Sequence, residues 1–197
     1  MKIKRLEVGV FENNCYILTD PRTREAAIID PGAEAERILE ETGETEVRHI
    51  LITHGHMDHI GALEELRRET RAPVGIHRGD AEALRGKPDF FLEDGQMISF
   101  GEVTLTVLHT PGHSPGGVCF LTGKVLFSGD TIFPDGPGNT GLPGADEQVI
   151  LSSIHSKIFI LPDDTIIYPG HGLETTVGRE KATSFYPVSR SIKREPA

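Results

Sequence analysis

Five times along this chain, an apolar run with the character of a β-strand leads into a short segment carrying a histidine or an aspartate. AAII leads to Asp30, VRHILIT to His54, LTVLHTPG to His113, KVLFSG to Asp130 and TIIYPG to His171. Strands that end on one edge of a sheet bring their trailing residues together. Ligand sites in layered α/β proteins commonly lie at such strand ends. The repeated pattern therefore restricts the chain to a sheet-based architecture with its ionisable residues gathered along one edge.

The rest of the sequence fits that frame. KIKRLEV, NCYILTD, APVGIH, QMISF and GVCFL supply further strand-like segments. Gly101-Glu102 and Thr122-Gly123 each join two apolar runs as a hairpin turn does. Helical patterning is expected over 33–42, closed by Gly43, and over 146–159. It is also expected through HIGALEELRRET, where Ile60, Leu63 and Leu66 recur at helical spacing. Strands dominate and helices are inserted between them, so the fold class is α/β or α+β with helices covering sheets. At 197 residues the chain is expected to form a single domain over 1–197, with 188–197 a flexible, solvated tail.

Charge and composition exclude several classes of function. The formal net charge is −10, which argues against nucleic acid as the main partner, since phosphate binding needs a basic surface. No apolar run approaches the roughly 18–20 residues that cross a bilayer, so no membrane partner is expected. MKIKRLEVGVFENN lacks the apolar stretch of a secretory leader, and a cytoplasmic location is expected. Cys15 and Cys119 both sit in strand-like runs and read as small buried residues rather than as a disulfide pair.

The chemistry is concentrated at 53–59, Thr-His-Gly-His-Met-Asp-His. In an extended segment, residues two apart face the same way, so His54 and His56 can converge on one ion. Asp58 and His59 fall where the chain turns into a helical pattern and can face a second ion beside the first. Imidazole and carboxylate together suit zinc, iron or manganese better than calcium or magnesium. A single His-x-His is common and mostly without meaning. The same motif extended by Asp58 and His59, and joined by strand-end His113, Asp130 and His171, is far more specific. His49, His77, His109 and His155 lie within or at the ends of ordinary elements and read as structural.

These motifs resemble the metallo-β-lactamase superfamily and, within it, small glyoxalase II-like (hydroxyacylglutathione hydrolase-like) proteins. The resemblance rests on T-H-G-H-M-D-H at 53–59, T-P-G-H at 110–113, S-G-D at 128–130 and Y-P-G-H at 168–171. It implies a four-layer αββα sandwich, two facing mixed sheets flanked by helices, with the metal site at one edge. It implies two divalent metal ions, with zinc expected and iron or manganese compatible. One would take His54, His56 and His113, the other Asp58, His59 and His171, and Asp130 would bridge them. Asp30, Thr53 and Thr110 would support the ligands from behind. A hydroxide shared by the metals and held at Asp130, oriented by Asp58, would attack a thioester or ester carbonyl.

The expected activity is thus a glyoxalase II-like thioesterase acting on S-lactoylglutathione or a related small-molecule thioester. Two departures bear on that substrate. Only 26 residues follow His171, too few for the helical domain that helps hold glutathione in full-length glyoxalase II. The loop 131–147 contains no Lys or Arg to receive glutathione carboxylates. Asn139, where related small proteins often have arginine, and Tyr168 are candidate substrate contacts.

Rival readings within the resemblance are an iron-dependent persulfide dioxygenase using His54, His113 and Asp130, and a lactonase. A β-lactamase fits less well because Asp130 fills the bridging position. The acidic charge disfavours a tRNA-processing nuclease. A flavodiiron protein would want a carboxylate at position 56. The non-enzymatic reading is a metal-holding binding domain. The motifs leave the natural substrate, the native metal and the oligomeric state open.

Overall fold

In a computed structural model, which describes residues 1–183, 185 and 186, the chain forms two six-stranded sheets packed face to face. The first contains β1 (Lys2–Val8), β2 (Asn13–Thr19), β3 (Glu25–Ile29), β4 (Glu46–Leu51), β5 (Val74–His77) and β6 (Phe90–Leu92), side by side in chain order. The second contains β7 (Met97–Phe100), β8 (Val103–His109), β9 (Val118–Thr122) and β10 (Val125–Gly129). A small ribbon, β11 (Ile132–Phe133) with β12 (Gly136–Pro137), precedes its last two strands, β13 (Ile166–Pro169) and β14 (Thr175–Thr176). The spatial order in this sheet is β14-β13-β10-β9-β8-β7. Among the described residues five α-helices complete the fold: α1 (Ala35–Thr42), α2 (Met57–Ile60), α3 (Leu63–Thr70), α4 (Glu147–Ser153) and α5 (Val177–Lys181). The expected tail, 188–197, lies outside the described residues.

Alternation along the strands builds the layers. Cys15 and Ile17 join Ile28, Ile50 and Ile52 in a cluster packed under Ile38 of α1 and Leu63 and Leu66 of α3. Their neighbours Tyr16, Leu18, Ile29 and Leu51 face the other way, onto Phe100, Leu105, Val107, Phe120 and Phe127 between the sheets. On the far side of the second sheet, Cys119, Leu126 and Ile167 pack against Ile150, Leu151 and Ile154. Because the side-chain period of a strand is two, each central strand feeds two cores. The result is the expected helix–sheet–sheet–helix sandwich.

The helical segments differ from the sequence reading in two places. The pattern through Ile60, Leu63 and Leu66 is not one helix but α2 and α3, broken where Ala62 N donates to Pro31 O at 3.0 Å. The 146–159 segment begins at an Asp146 cap, then widens after α4 into a π-turn over Ile154–Ile158, closed by Phe159 N donating to Ile154 O at 2.8 Å.

Strand polarity places the site. β3, β4 and β5 run parallel, and β10 runs parallel to β13. β8 and β10 each pair antiparallel with β9, so they too share a direction. At the edge where these strands end, the two sheets are stitched directly together. Val118 N donates to Thr53 O at 2.9 Å, Asn14 N to Gly170 O at 2.7 Å, and Tyr16 Oη to Pro169 O at 2.6 Å.

Candidate metal centre

That edge gathers His54, His56, Asp58, His59, His113, Asp130 and His171. His54 follows β4. His56 caps α2, and Asp58 and His59 lie in its only turn. His113 follows β8, Asp130 follows β10 and His171 follows β13. Two triads result, His54/His56/His113 and Asp58/His59/His171, each with its ligand-type atoms within 4.8 Å of one another. Asp30 forms a third such group with His54 and His59.

In the first triad, His54 Nε2 and His113 Nε2 each lie 3.0 Å from His56 Nδ1. In the second, Asp58 Oδ2 stands 3.2 Å from His171 Nε2 and 3.6 Å from His59 Nε2. Asp130 lies between the triads, with Oδ1 3.4 Å from His59 Nε2 and Oδ2 3.6 Å from His113 Nε2. The close approach leaves no room for a side chain at Gly170, where a Cβ would stand 2.1 Å from Asp130 Oδ1 and 2.7 Å from His59 Cε1.

The outer ring nitrogens decide what the inner ones can do. Asp30 accepts from Thr53 N at 2.7 Å and from the Thr53 hydroxyl at 2.5 Å. With its proton given to Asp30, the Thr53 oxygen accepts from His54 Nδ1 at 3.1 Å. His59 Nδ1 lies 3.0 Å from Asp30 Oδ2, His113 Nδ1 2.8 Å from Asn139 O, and His171 Nδ1 2.9 Å from Phe11 O. A carboxylate or a carbonyl only accepts, so each of these outer nitrogens carries its proton. The neutral form of each ring therefore turns a bare Nε2 inward. Two such lone pairs face His56 Nδ1, whose single proton can serve only one. His59 Nε2 and Asp130 Oδ1, both buried, have no hydrogen-bond partner. Converging lone pairs and carboxylates repel unless positive charge lies among them.

A divalent ion fits this donor set. Atoms bound at about 2.0–2.2 Å around a tetrahedral ion stand roughly 3.3–3.6 Å apart, close to the 3.2–3.6 Å separations in the second triad. Mixed imidazole and carboxylate donors suit zinc, iron and manganese alike.

The protein's own electrostatics differ across the site. Burial, reinforced by neighbouring imidazoles, holds His54 well below the usual histidine value, and burial likewise lowers His56. Burial also opposes charge on His59, but the Asp30 and Asp130 carboxylates outweigh it and push His59 up to about 10. The hydrogen bond with His171 holds Asp58 down to about 2 and raises His171 in turn.

The remaining candidates separate clearly. Thr53 bonds His54 and Asp30, as described. Thr110 bonds the Thr131 hydroxyl at 3.0 Å and Cys119 Sγ at 3.2 Å and forms no side-chain hydrogen bond with the seven ligand-type residues. Tyr168 packs into the core between the sheets, its ring stacked 5.6 Å from Phe127 and edge-on 5.7 Å from Tyr16. Asn139 meets the site through its backbone carbonyl, while its side chain caps Gly141 N at 2.8 Å. Cys15 and Cys119 are both buried. The four other histidines bond to backbone groups.

Sequence reasoning missed Asn13, whose buried amide lies 2.9 Å from His59 Nδ1 and whose backbone bridges His171. Its signal was two asparagines opening an otherwise apolar strand. Gly55 stands between His54 and His56. Its φ is not positive, and its constraint is space, because a Cβ there would stand 2.6 Å from Ala83 Cβ.

Comparison with known proteins gives the same picture. Residues 8–171 match the family described as the Metallo-beta-lactamase superfamily. A relative from Haemophilus influenzae named hydroxyacylglutathione hydrolase GloC is 34% identical, over 97% of this chain and 100% of its own length. The crystal structure of BLEG-1 B3 metallo-beta-lactamase superposes with a TM-score of 0.87 at 35% identity, over 92% of this chain and 97% of that one. TTHA1623 in a di-iron-bound form superposes with a TM-score of 0.79, also at 35% identity, over 91% and 98%.

Proposed function

The chain belongs to the metallo-beta-lactamase superfamily, and on that premise we propose that it is a binuclear metallohydrolase of thioesters and related esters, of the glyoxalase II-like type. The observation that carries the reading is the inward convergence of bare imidazole nitrogens with the Asp58 and Asp130 carboxylates. The near full-length likeness to a hydroxyacylglutathione hydrolase supports it. His54, His56 and His113 would hold one ion, Asp58, His59 and His171 the other, and Asp130 both. Zinc is the proposed metal, and the di-iron relative makes iron the first alternative. When bound, such a pair of ions makes a water nucleophilic at neutral pH and polarises a carbonyl.

The chain's own groups supply the rest. Asp30, the Phe11 carbonyl and the Asn139 carbonyl fix three rings, so that each presents Nε2 without rearrangement at the moment of reaction. Asp58, partly exposed beside His171, would orient an attacking water. A thiolate leaves without needing a proton, so the reaction would require no further general acid. The 131–147 loop carries no cation of its own. Arg179, behind it, is already bonded to Asp135 at 2.8 Å and Glu180 at 2.6 Å. This favours small thioesters beyond S-lactoylglutathione as well as that substrate. The layered cores run through the whole of the described residues, in support of a single domain. Among the described residues no helix is long and apolar enough to cross a membrane.

The test is elemental analysis of the protein joined to a hydrolysis panel of S-lactoylglutathione, simple acyl thioesters, lactones and a β-lactam. The expected result is two metal equivalents and turnover of a thioester. A protein that turns over only the β-lactam, the chemistry named for BLEG-1, would replace this reading. The second reading, a persulfide dioxygenase using iron at His54, His113 and Asp130, draws on the di-iron relative. Oxygen uptake with glutathione persulfide, without thioester hydrolysis, would establish it instead.

A further inference from the structure

The first triad is assembled from two loops that belong to different sheets. Its spacing therefore depends on something that holds those loops together. Asp80 lies between them, in the 3-10 turn Arg78–Ala83 that follows β5, and its side chain is buried. Its Oδ2 accepts from Gly55 N at 2.9 Å, and its Oδ1 accepts from Gly116 N at 2.6 Å. Gly55 separates His54 from His56. Gly116 lies three residues beyond His113. Among the described residues no cationic side chain forms an ion pair with Asp80.

A buried carboxylate with no counter-charge is costly, and here it is compensated only by backbone amides. The surrounding backbone has been cleared for it. A Cβ on Gly116 would stand 2.6 Å from Asp80 N and 2.7 Å from its Oδ1. One on Gly79 would stand 2.9 Å from Gly116 N. The turn thus wedges directly between the two ligand-bearing loops.

We propose that Asp80 is a positioning residue that sets the geometry of the His54/His56/His113 triad by clamping its two loops through their amides. The inference rests on the reading that this triad holds a metal ion. The second triad is positioned by other groups: Asp30 at His59, and the Phe11 carbonyl at His171. Loss of the clamp therefore acts on one ion of the two.

The test uses the full chain, stripped of metal and titrated with Co²⁺ and then Zn²⁺. Asp80→Asn keeps the shape but replaces one acceptor with a donor facing an N–H. It should keep its far-UV circular dichroism and bind one equivalent with wild-type affinity. The other equivalent should weaken by about 10–100-fold, the usual cost of losing a ligand's supporting contact. The Co²⁺ absorption bands of the weakened site should shift. In the metal-stripped protein, amide exchange at Gly55 and Gly116 should accelerate, a readout that needs no ion. Equal weakening of both equivalents marks a general structural role and overturns the proposal, as do two wild-type affinities. If the wild-type chain binds two ions and Asp80→Asn binds both with unchanged affinity, the inference alone fails. If the wild-type chain binds none, the metal reading fails and the inference falls with it.

Discussion

The two triads face one another across Asp130, yet they meet an incoming cation in opposite states. His54/His56/His113 has no carboxylate among its members, and burial with neighbouring imidazoles holds His54 and His56 below the usual histidine value. Asp58/His59/His171 contains a carboxylate, backs onto the buried Asp30, and raises both of its histidines. The first is ready to bind but offers no charge. The second offers charge but holds protons that a metal must displace. On the proposed two-ion reading, geometry would select the ion at the first and electrostatics would draw it to the second.

The largest expected effect removes the group common to both. Asp130→Ala should abolish uptake of at least one ion and lower turnover by more than about 100-fold, since merely supporting contacts cost 10–100-fold. Metal analysis and circular dichroism together would show a folded chain. Full metal content with full turnover would mean that Asp130 lies outside the chemistry.

Asp30→Asn separates the triads. It removes the charge behind His59 while keeping a similar shape. Affinity at the second triad should fall by about 10–100-fold, with a smaller effect relayed to His54 through Thr53. Equal losses at both would erase the distinction drawn above.

The metal-stripped chain should report the same asymmetry as pH dependence. His59 is raised from its ordinary value near 6.5 to about 10. Its contribution to stability is complete below about 6.5 and is lost as pH rises toward about 10. Asp58, lowered from 3.8 to about 2, contributes above its ordinary value and loses that contribution as pH falls toward about 2. The midpoint of thermal unfolding in chelator should decline from pH 7 to 10, and added Zn²⁺ should flatten the decline. A rise over that interval would remove the electrostatic half of the comparison.

Thr53→Val is the mildest test. The Thr53 hydroxyl links Asp30 to His54, and its loss leaves His54 Nδ1 without an acceptor. Affinity at the first triad should fall by about tenfold, read by Zn²⁺ titration, with the second triad little changed.

Much of the layered fold was legible because strand-end position and alternation are local signals. The runs ending at Asp30, His54, His113, Asp130 and His171 indicated which edge would collect ionisable groups. The unbroken apolar run Cys15–Leu18 marked a strand, and the structure divides it between two cores. Less legible were features set by distant backbone. Asp80 and Asn13 act on groups far away in sequence, and neither belongs to a periodic pattern. The break between α2 and α3 arises because Pro31 O captures the Ala62 amide, and a Cβ on Gly61 would stand 2.2 Å from Gly32 O. The Phe90–Leu92 strand is too short to stand out between charged neighbours.

The hydrogen bonds that stitch the sheets together at the ligand-bearing edge have a practical corollary. The seven ligand-type residues all lie at that edge, away from the opposite end of the sandwich. The turn at Gly123-Lys124 lies there, exposed, with β10 between it and Asp130, roughly 17 Å of strand. Nothing stands within 4 Å of where a Cβ on Gly123 would lie. A fluorescent reporter or an affinity handle spliced into that hairpin would hang away from that edge, giving a way to label or immobilise the protein without touching the candidate site.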